Sequence, residues 1–206
     1  PFEHASFLMG LESLCIIVYQ DPEFASALFA KIGTTLAGIA QHLVQQDTLG
    51  AYRFGDDLGF KTATMFSPSM LREYVFPWQK RVVQVVHTAG RRFVLHSCGQ
   101  LEMVMDDLID DVGIDGKHSF EDATLPVTEA KERWGSKIAI LGGIDVDFLC
   151  RSTPHAIKEY TKRVVEQCAQ GGGYAAGSGN TIASYVPVEN YLAMVEAVNE
   201  LNGRTG

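Results

Sequence analysis

An alternation constrains this chain more than any other feature: short apolar runs, closed by glycine or a polar turn, are separated by stretches with helical spacing. The runs are Ala51 to Phe54 before Gly55-Asp56-Asp57, Arg92 to His96 before Cys98-Gly99, Ile114 to Lys117, Ile138 to Leu141 before Gly142-Gly143, and Tyr174-Ala175-Ala176 after a triple glycine. The core of the second run, Phe93-Val94-Leu95, is apolar at consecutive positions, as a strand buried on both faces requires. Strands joined through helices lie parallel, because the chain must cross back before the next strand begins. The expected class is therefore α/β, as a doubly wound sheet or a (β/α)₈ barrel, and five strand-helix units are too few to close a barrel alone. Both architectures place chemistry at the C-terminal ends of the strands.

Between the runs, residues 3 to 19 predict one apolar helix, stopped by Asp21-Pro22, and Pro22 opens a second helix through Gln46. Ser67-Pro68 starts an amphipathic helix carrying Met70, Tyr74, Val75, Trp78 and Val82, and a further helix follows Cys98-Gly99 and runs through Ile109. Helices are also expected over Pro126 to Trp134, from about Asp145 and Thr153, and from Pro187 to about Asn202. Tyr74, Phe76 and Trp78 share one helical segment and are read as packing residues.

Size and charge narrow the function classes. With 206 residues, 46% of them hydrophobic, the chain is expected to bury one core as a single domain. A formal charge of −8 disfavours nucleic acid, whose binding requires clustered Lys and Arg to displace counterions. No apolar run of about 18 residues occurs, and Pro1-Phe2-Glu3-His4 lacks the basic and apolar parts of a secretory signal, so a cytoplasmic protein without membrane partners is expected. Cys15, Cys98, Cys150 and Cys168 have no paired rhythm and read as reduced thiols. Pro1 is no initiator, and the first helical run reads as internal to a longer protein.

The strand ends carry the candidate chemistry. His96 and Cys98 are two apart, so both side chains project to one side, and a borderline-soft ion such as zinc accepts imidazole and thiolate together. The same residues also fit a strand cap and an apolar filler, and two donors do not complete a site. Of Asp56 and Asp57, adjacent and therefore facing opposite ways, Asp57 is taken as the inward carboxylate, an acid, base, ligand or substrate anchor, and a turn-closing role for both stays open. His118, followed by Glu121 and Asp122, offers a general acid or a third donor, or else a solvated loop. Gly177-Ser178-Gly179-Asn180 lacks the spacing of a phosphate-binding or dinucleotide motif and is read as close backbone approach to a ligand.

Taken in order, these stretches resemble the uroporphyrinogen decarboxylase superfamily, which also holds cobalamin-dependent methyltransferases. The resemblance rests on Asp21-Pro22-Glu23, Gly55-Asp56-Asp57-Leu58-Gly59, Ser67-Pro68 with Leu71-Arg72-Glu73-Tyr74-Val75-Phe76-Pro77, and His96-Ser97-Cys98-Gly99. It continues through Ile140-Leu141-Gly142-Gly143-Ile144-Asp145, Gly171-Gly172-Gly173-Tyr174 and Pro187-Val188-Glu189-Asn190-Tyr191. It implies a (β/α)₈ barrel of which this chain supplies about the last five strand-helix units and the preceding helices, with the N-terminal part missing.

The resemblance also implies two candidate activities. The decarboxylase branch needs no metal and binds its tetrapyrrole through N-terminal arginines and an aspartate that this chain lacks, and through a histidine at the position of Asn180. The methyltransferase branch holds zinc through a His-x-Cys pair, matched by His96 and Cys98, and a later cysteine that also falls at Asn180. Asp57, His118 or Glu121 are the candidate replacements for that third ligand. The expectation is a corrinoid-dependent methyltransferase, with catalytic Asp57 and His118, metal-binding His96 and Cys98, and substrate-binding Asp57, Ser178 and Asn180. Its partners would be a protein carrying methylcobalamin and a small thiol or pterin such as tetrahydrofolate, with self-association compatible. Without zinc, Asp57 and Asn180 would hydrogen-bond a pterin ring. Uroporphyrinogen decarboxylation and a non-catalytic ligand-binding homologue are the alternatives.

Overall fold

The computed structural model describes residues 1–203, which divide into two compact units at Asp115 and Gly116. The first unit opens with three helices, α1 (Phe2–Met9), α2 (Leu11–Gln20) and α3 (Pro22–Leu43). The single helix expected over residues 3 to 19 is thus two, bent by 100° at Gly10. Gly10 adopts φ +79°, a left-handed conformation that only glycine takes without a steric penalty, so the helix breaks although its apolar pattern continues. Asp21 then caps α3 as expected, its carboxylate accepting from the Phe24 N–H at 2.9 Å, with Pro22 at the first helical position.

Strand β1 (Ala51–Gly55) pairs in parallel with β2 (Arg92–His96), in a register that sets Phe54 against Leu95 and Gly55 against His96. Between them run α4 (Pro68–Met70), a π-helical turn over Leu71–Val75, and α5 (Phe76–Thr88). Pro77 has no N–H to offer the Glu73 carbonyl, and the widened turn absorbs that gap. Tyr74 and Phe76 are buried. Trp78 lies over Gly33 of α3, where any Cβ would collide with the indole. The helix expected after Cys98-Gly99 and through Ile109 appears as a 3₁₀ turn (Glu102–Val104) and a π-helical segment (Asp107–Val112) stopped by left-handed Gly113.

The second unit contains β3 (Gly116–His118), α6 (Val127–Trp134), β4 (Ala139–Leu141), α7 (Val146–Arg151), α8 (Pro154–Cys168), β5 (Tyr174–Ala175) and α9 (Val188–Leu201). Its three strands are parallel, with Gly116 against Ala139, His118 against Leu141 and Ile140 against Tyr174. Strand β3 starts two residues later than expected: Ile114 is buried, but it belongs to the turn after Gly113 and its N–H bonds the Leu108 carbonyl. The buried amide of Asn190 ties α9 to the end of α7, donating to the Leu149 and Ser152 carbonyls at 2.7 and 2.9 Å.

No single helix among the described residues is long and apolar enough to cross a membrane; only the bent pair α1–α2 has the length and composition together.

Candidate metal centre at the strand ends

Two adjacent carboxylates leave β1 and part company. The Asp56 N–H bonds the His96 carbonyl at 3.0 Å, continuing the β1–β2 ladder, and its fully buried side chain turns inward. There it accepts from the Phe2 N–H (3.2 Å), the Glu3 N–H (2.8 Å) and the Gln79 amide (2.8 Å). Asp56 therefore satisfies the first N–H groups of α1 and lies at the positive end of its dipole.

Asp57 faces the other way, toward the end of β2. Its Oδ1 accepts from the Cys98 N–H at 2.8 Å and lies 3.8 Å from His96 Nε2, while Cys98 Sγ lies 3.6 Å from the same nitrogen. The spacing of two along the extended end of β2 places imidazole and thiol together, and the parallel register delivers the carboxylate to them. One donor atom from each of Asp57, His96 and Cys98 lies within 4.8 Å of the others, a set able to hold a metal ion.

A tetrahedral ion with bonds of about 2.0–2.3 Å separates its ligand atoms by about 3.3–3.6 Å. The 3.6 and 3.8 Å observed here match that spacing to within a few tenths of an ångström. Oxygen, nitrogen and sulfur donors of this kind suit zinc. The Cys98 N–H holds the carboxylate in place, as outer partners of metal ligands commonly do. His96 is the most enclosed of the pair it forms with Asp57, at 12% side-chain exposure against 39%, so the group opens to solvent on the carboxylate side.

Glu3, on α1, was not visible in the sequence as part of this region. Burial and the charges of Asp57 and Asp56 raise its carboxyl above the ordinary range, and a bond from the Asp57 backbone N–H draws it partly back. Nothing local marks it, because it is more than fifty residues from Asp57 in the chain and arrives through the docking of α1 on Asp56.

The remaining candidates belong to the second unit. His118, at the end of β3, has Nε2 3.2 Å from the Ser178 carbonyl, and Ser178 Oγ donates to the Asn180 carbonyl at 2.6 Å. His118, Ser178 and Asn180 thus form one local network, and Gly142 and Gly143, both at positive φ, complete the neighbouring turn after β4. Ser119 adopts φ +87°, rare for a residue with a Cβ, and the buried Lys117 ammonium donates to its carbonyl at 2.7 Å and lies over the Phe120 ring. Burial and the nearby Asp145 raise the Asp122 carboxyl, although the Tyr160 hydroxyl, donating at 2.6 Å, opposes them. Glu121, the other proposed donor, is in this unit too.

The model of the uroporphyrinogen decarboxylase (URO-D) family matches residues 1–201. A uroporphyrinogen decarboxylase of Chromohalobacter salexigens is 26% identical over 212 residues, covering 98% of this chain and 53% of that protein. A methylated-thiol–coenzyme M methyltransferase of Methanosarcina mazei is also 26% identical, over 201 residues, covering 97% and 51%. The chain spans about half the length of the curated relatives it matches. Among solved structures, a methyltransferase from Methanosarcina mazei superposes with a TM-score of 0.75 at 22% identity, over 96% of this chain and 56% of that one. That likeness bears on the fold alone and supports the α/β barrel class.

Proposed function

The chain belongs to the uroporphyrinogen decarboxylase family, and from that premise we propose that it is a corrinoid-dependent methyltransferase acting on a small thiol or pterin. The observation that carries this reading is the convergence of Asp57, His96 and Cys98. A decarboxylase of the family needs no metal, and so has no use for thiolate and imidazole set together at a strand end. Asp57 stands in as the third donor, since Asn180 occupies the position of the later cysteine.

Zinc bound there would supply a Lewis acid that lowers the pKa of an acceptor thiol or hydroxyl and so makes it nucleophilic. The chain's own part is to hold three donors in their deprotonated forms: Cys98 as thiolate, Asp57 as carboxylate, and His96 neutral with Nε2 presented. The backbone N–H of Cys98 keeps the carboxylate turned toward the pair. In such a transfer the acceptor would give up its proton and take the methyl group as a cation equivalent, and the electron pair of the broken bond would stay with the methyl donor. Asp57, Ser178 and Asn180 are the proposed substrate-binding residues and Asp57 and His118 the proposed catalytic ones, with tetrahydrofolate as the pterin candidate. The reaction would take place in the cytoplasm, with the corrinoid carried by a partner protein.

The test is zinc analysis and methyl transfer on the whole protein, with methylcobalamin as donor. One zinc per chain, lost in Cys98→Ser together with thiol or tetrahydrofolate methylation, is the expected result. Formation of coproporphyrinogen from uroporphyrinogen without added metal would assign the decarboxylase activity instead. Tight ligand binding without turnover would assign a binding homologue.

A further inference from the structure

Between the two donors on β2's end lies a residue that faces away from them. Ser97 is fully buried, and its Oγ accepts from the Leu58 N–H at 3.0 Å. Leu58, also fully buried, follows Asp57 directly and starts a hairpin in which Gly59 bridges Thr64 and the Phe60 N–H bonds the Ala63 carbonyl. The two segments are laced together in order. The Asp56 N–H reaches the His96 carbonyl (3.0 Å), the Leu58 N–H reaches Ser97 Oγ (3.0 Å), the Cys98 N–H reaches Asp57 Oδ1 (2.8 Å), and the Gln100 N–H reaches the Phe60 carbonyl (2.8 Å).

Backbone pairing along β1 and β2 ends with the bond from the Asp56 N–H to the His96 carbonyl, and the next backbone-to-backbone bond between the two segments is that of Gln100. Across the gap, at the point where Asp57 must be held, the acceptor for the hairpin is a side chain. Gly99, at φ +81°, makes the close approach possible, since a Cβ there would fall on the backbone of Gly59 and Phe60. The hairpin thus rests on the loop that carries Cys98, and Ser97 sets how far along it sits.

We propose that Ser97 is the positioning residue of the metal centre: through Leu58 it fixes Asp57 at the distance from His96 and Cys98 that completes the three-donor set. The proposal rests on the metal-site reading above. It predicts that the serine hydroxyl contributes to metal affinity without touching metal, in the way that partners of ligands commonly do.

The experiment compares the wild type with Ser97→Ala, Ser97→Thr and Asp57→Asn in the whole protein. Zinc affinity is read by competition with a chromophoric chelator, and the donor set by the visible spectrum of the cobalt(II) form. Ser97→Ala is expected to weaken zinc about 10- to 100-fold. It should keep the thiolate charge-transfer band of Cys98, shift the ligand-field bands toward those of Asp57→Asn, and lose hydrogen-exchange protection at the Leu58 amide in metal-free protein. Ser97→Thr, which keeps the hydroxyl, is expected to restore most of the affinity and the spectrum. Wild-type affinity and spectrum in Ser97→Ala would overturn the proposal, as would equal losses in the Thr and Ala variants. An unchanged zinc affinity in Asp57→Asn beside a weakened Ser97→Ala would overturn the route through Asp57. A wild type that takes up no zinc would instead remove the metal reading itself, which the exchange of the Leu58 amide does not probe.

Discussion

The strand ends of the two units are built by different means. In the first, side chains with donor atoms converge: Asp57, His96 and Cys98 bring oxygen, nitrogen and sulfur within 4.8 Å of one another. In the second, the ends of β3, β4 and β5 are shaped largely by backbone. Gly142 and Gly143 take positive φ, Ser119 is forced to +87°, and Gly179 lies where a Cβ would strike the Phe120 carbonyl. His118 there bonds a carbonyl oxygen and is in no donor group with Glu121 or Asp122. One region gathers donor side chains and the other lets backbone approach closely, so substitutions in the two should fail in different assays.

Adding a methyl group at Gly179 is the most damaging way to probe that difference. Gly179→Ala is expected to cost about 2–3 kcal/mol in denaturant unfolding, because the Phe120 backbone cannot move aside cheaply. Zinc affinity measured below the unfolding transition should be unchanged; an affinity that falls with the fold intact would break the division between the two regions.

Asp115 sharpens it from the opposite end of β2. Its carboxylate accepts from the Phe93 N–H (2.7 Å), from Arg92 (2.8 Å) and from His87 (2.6 Å). Burial alone would raise its pKa, but these bonds outweigh burial and hold it below the ordinary value. Asp115→Ala should cost about 1–2 kcal/mol at neutral pH by leaving the Phe93 N–H without its partner. A depressed native pKa means that the stabilisation is present above the unfolded value of about 3.9 and is lost as pH falls through the native one. The gap between wild type and variant should therefore narrow as pH falls below about 4, and a gap unchanged there would show that the ionised carboxylate contributes nothing to it. Zinc uptake should be unaffected, since Arg92 and Phe93 begin the strand that His96 ends.

The smallest effect is expected at Arg72, whose guanidinium pairs with Asp107 at 2.7 Å on the surface with 53% of the arginine side chain exposed. Arg72→Ala should leave the unfolding midpoint almost unchanged, and any small loss should vanish at high salt. A larger loss would mean that the π-helical segments it joins depend on the ion pair.

Legibility followed the reach of each signal. Strand β2 could be read to the residue, because Phe93-Val94-Leu95 is continuous and bounded by polar turns. The α3 cap was equally local. The break at Gly10 was not, since an apolar pattern runs through it and a single glycine in a helix costs only about 1 kcal/mol relative to alanine. Strand β3 was read two residues early because Ile114 has the strand propensity that Gly116 lacks, while pairing with β4 selects Gly116. In the candidate site, the two-residue spacing of His96 and Cys98 carried the reading. The separate fates of Asp56 and Asp57 followed from opposite facing, and Asp57 was taken as the one facing the site, but no local signal distinguishes the two.

By itself, then, the sequence determined the alternation, the parallel connections, and the strand end that bears imidazole and thiol, because these depend on periodicities of two and about four residues along the chain. Only tertiary structure decided that Asp56 is spent on the N-terminus of α1, that Asp57 Oδ1 comes within reach of His96 and Cys98, and that Ser97 and Gly99 receive the segment following it. Those choices depend on the register of β1 against β2 and on how closely two backbones approach, and a pairing some forty residues apart leaves no local trace in composition or spacing.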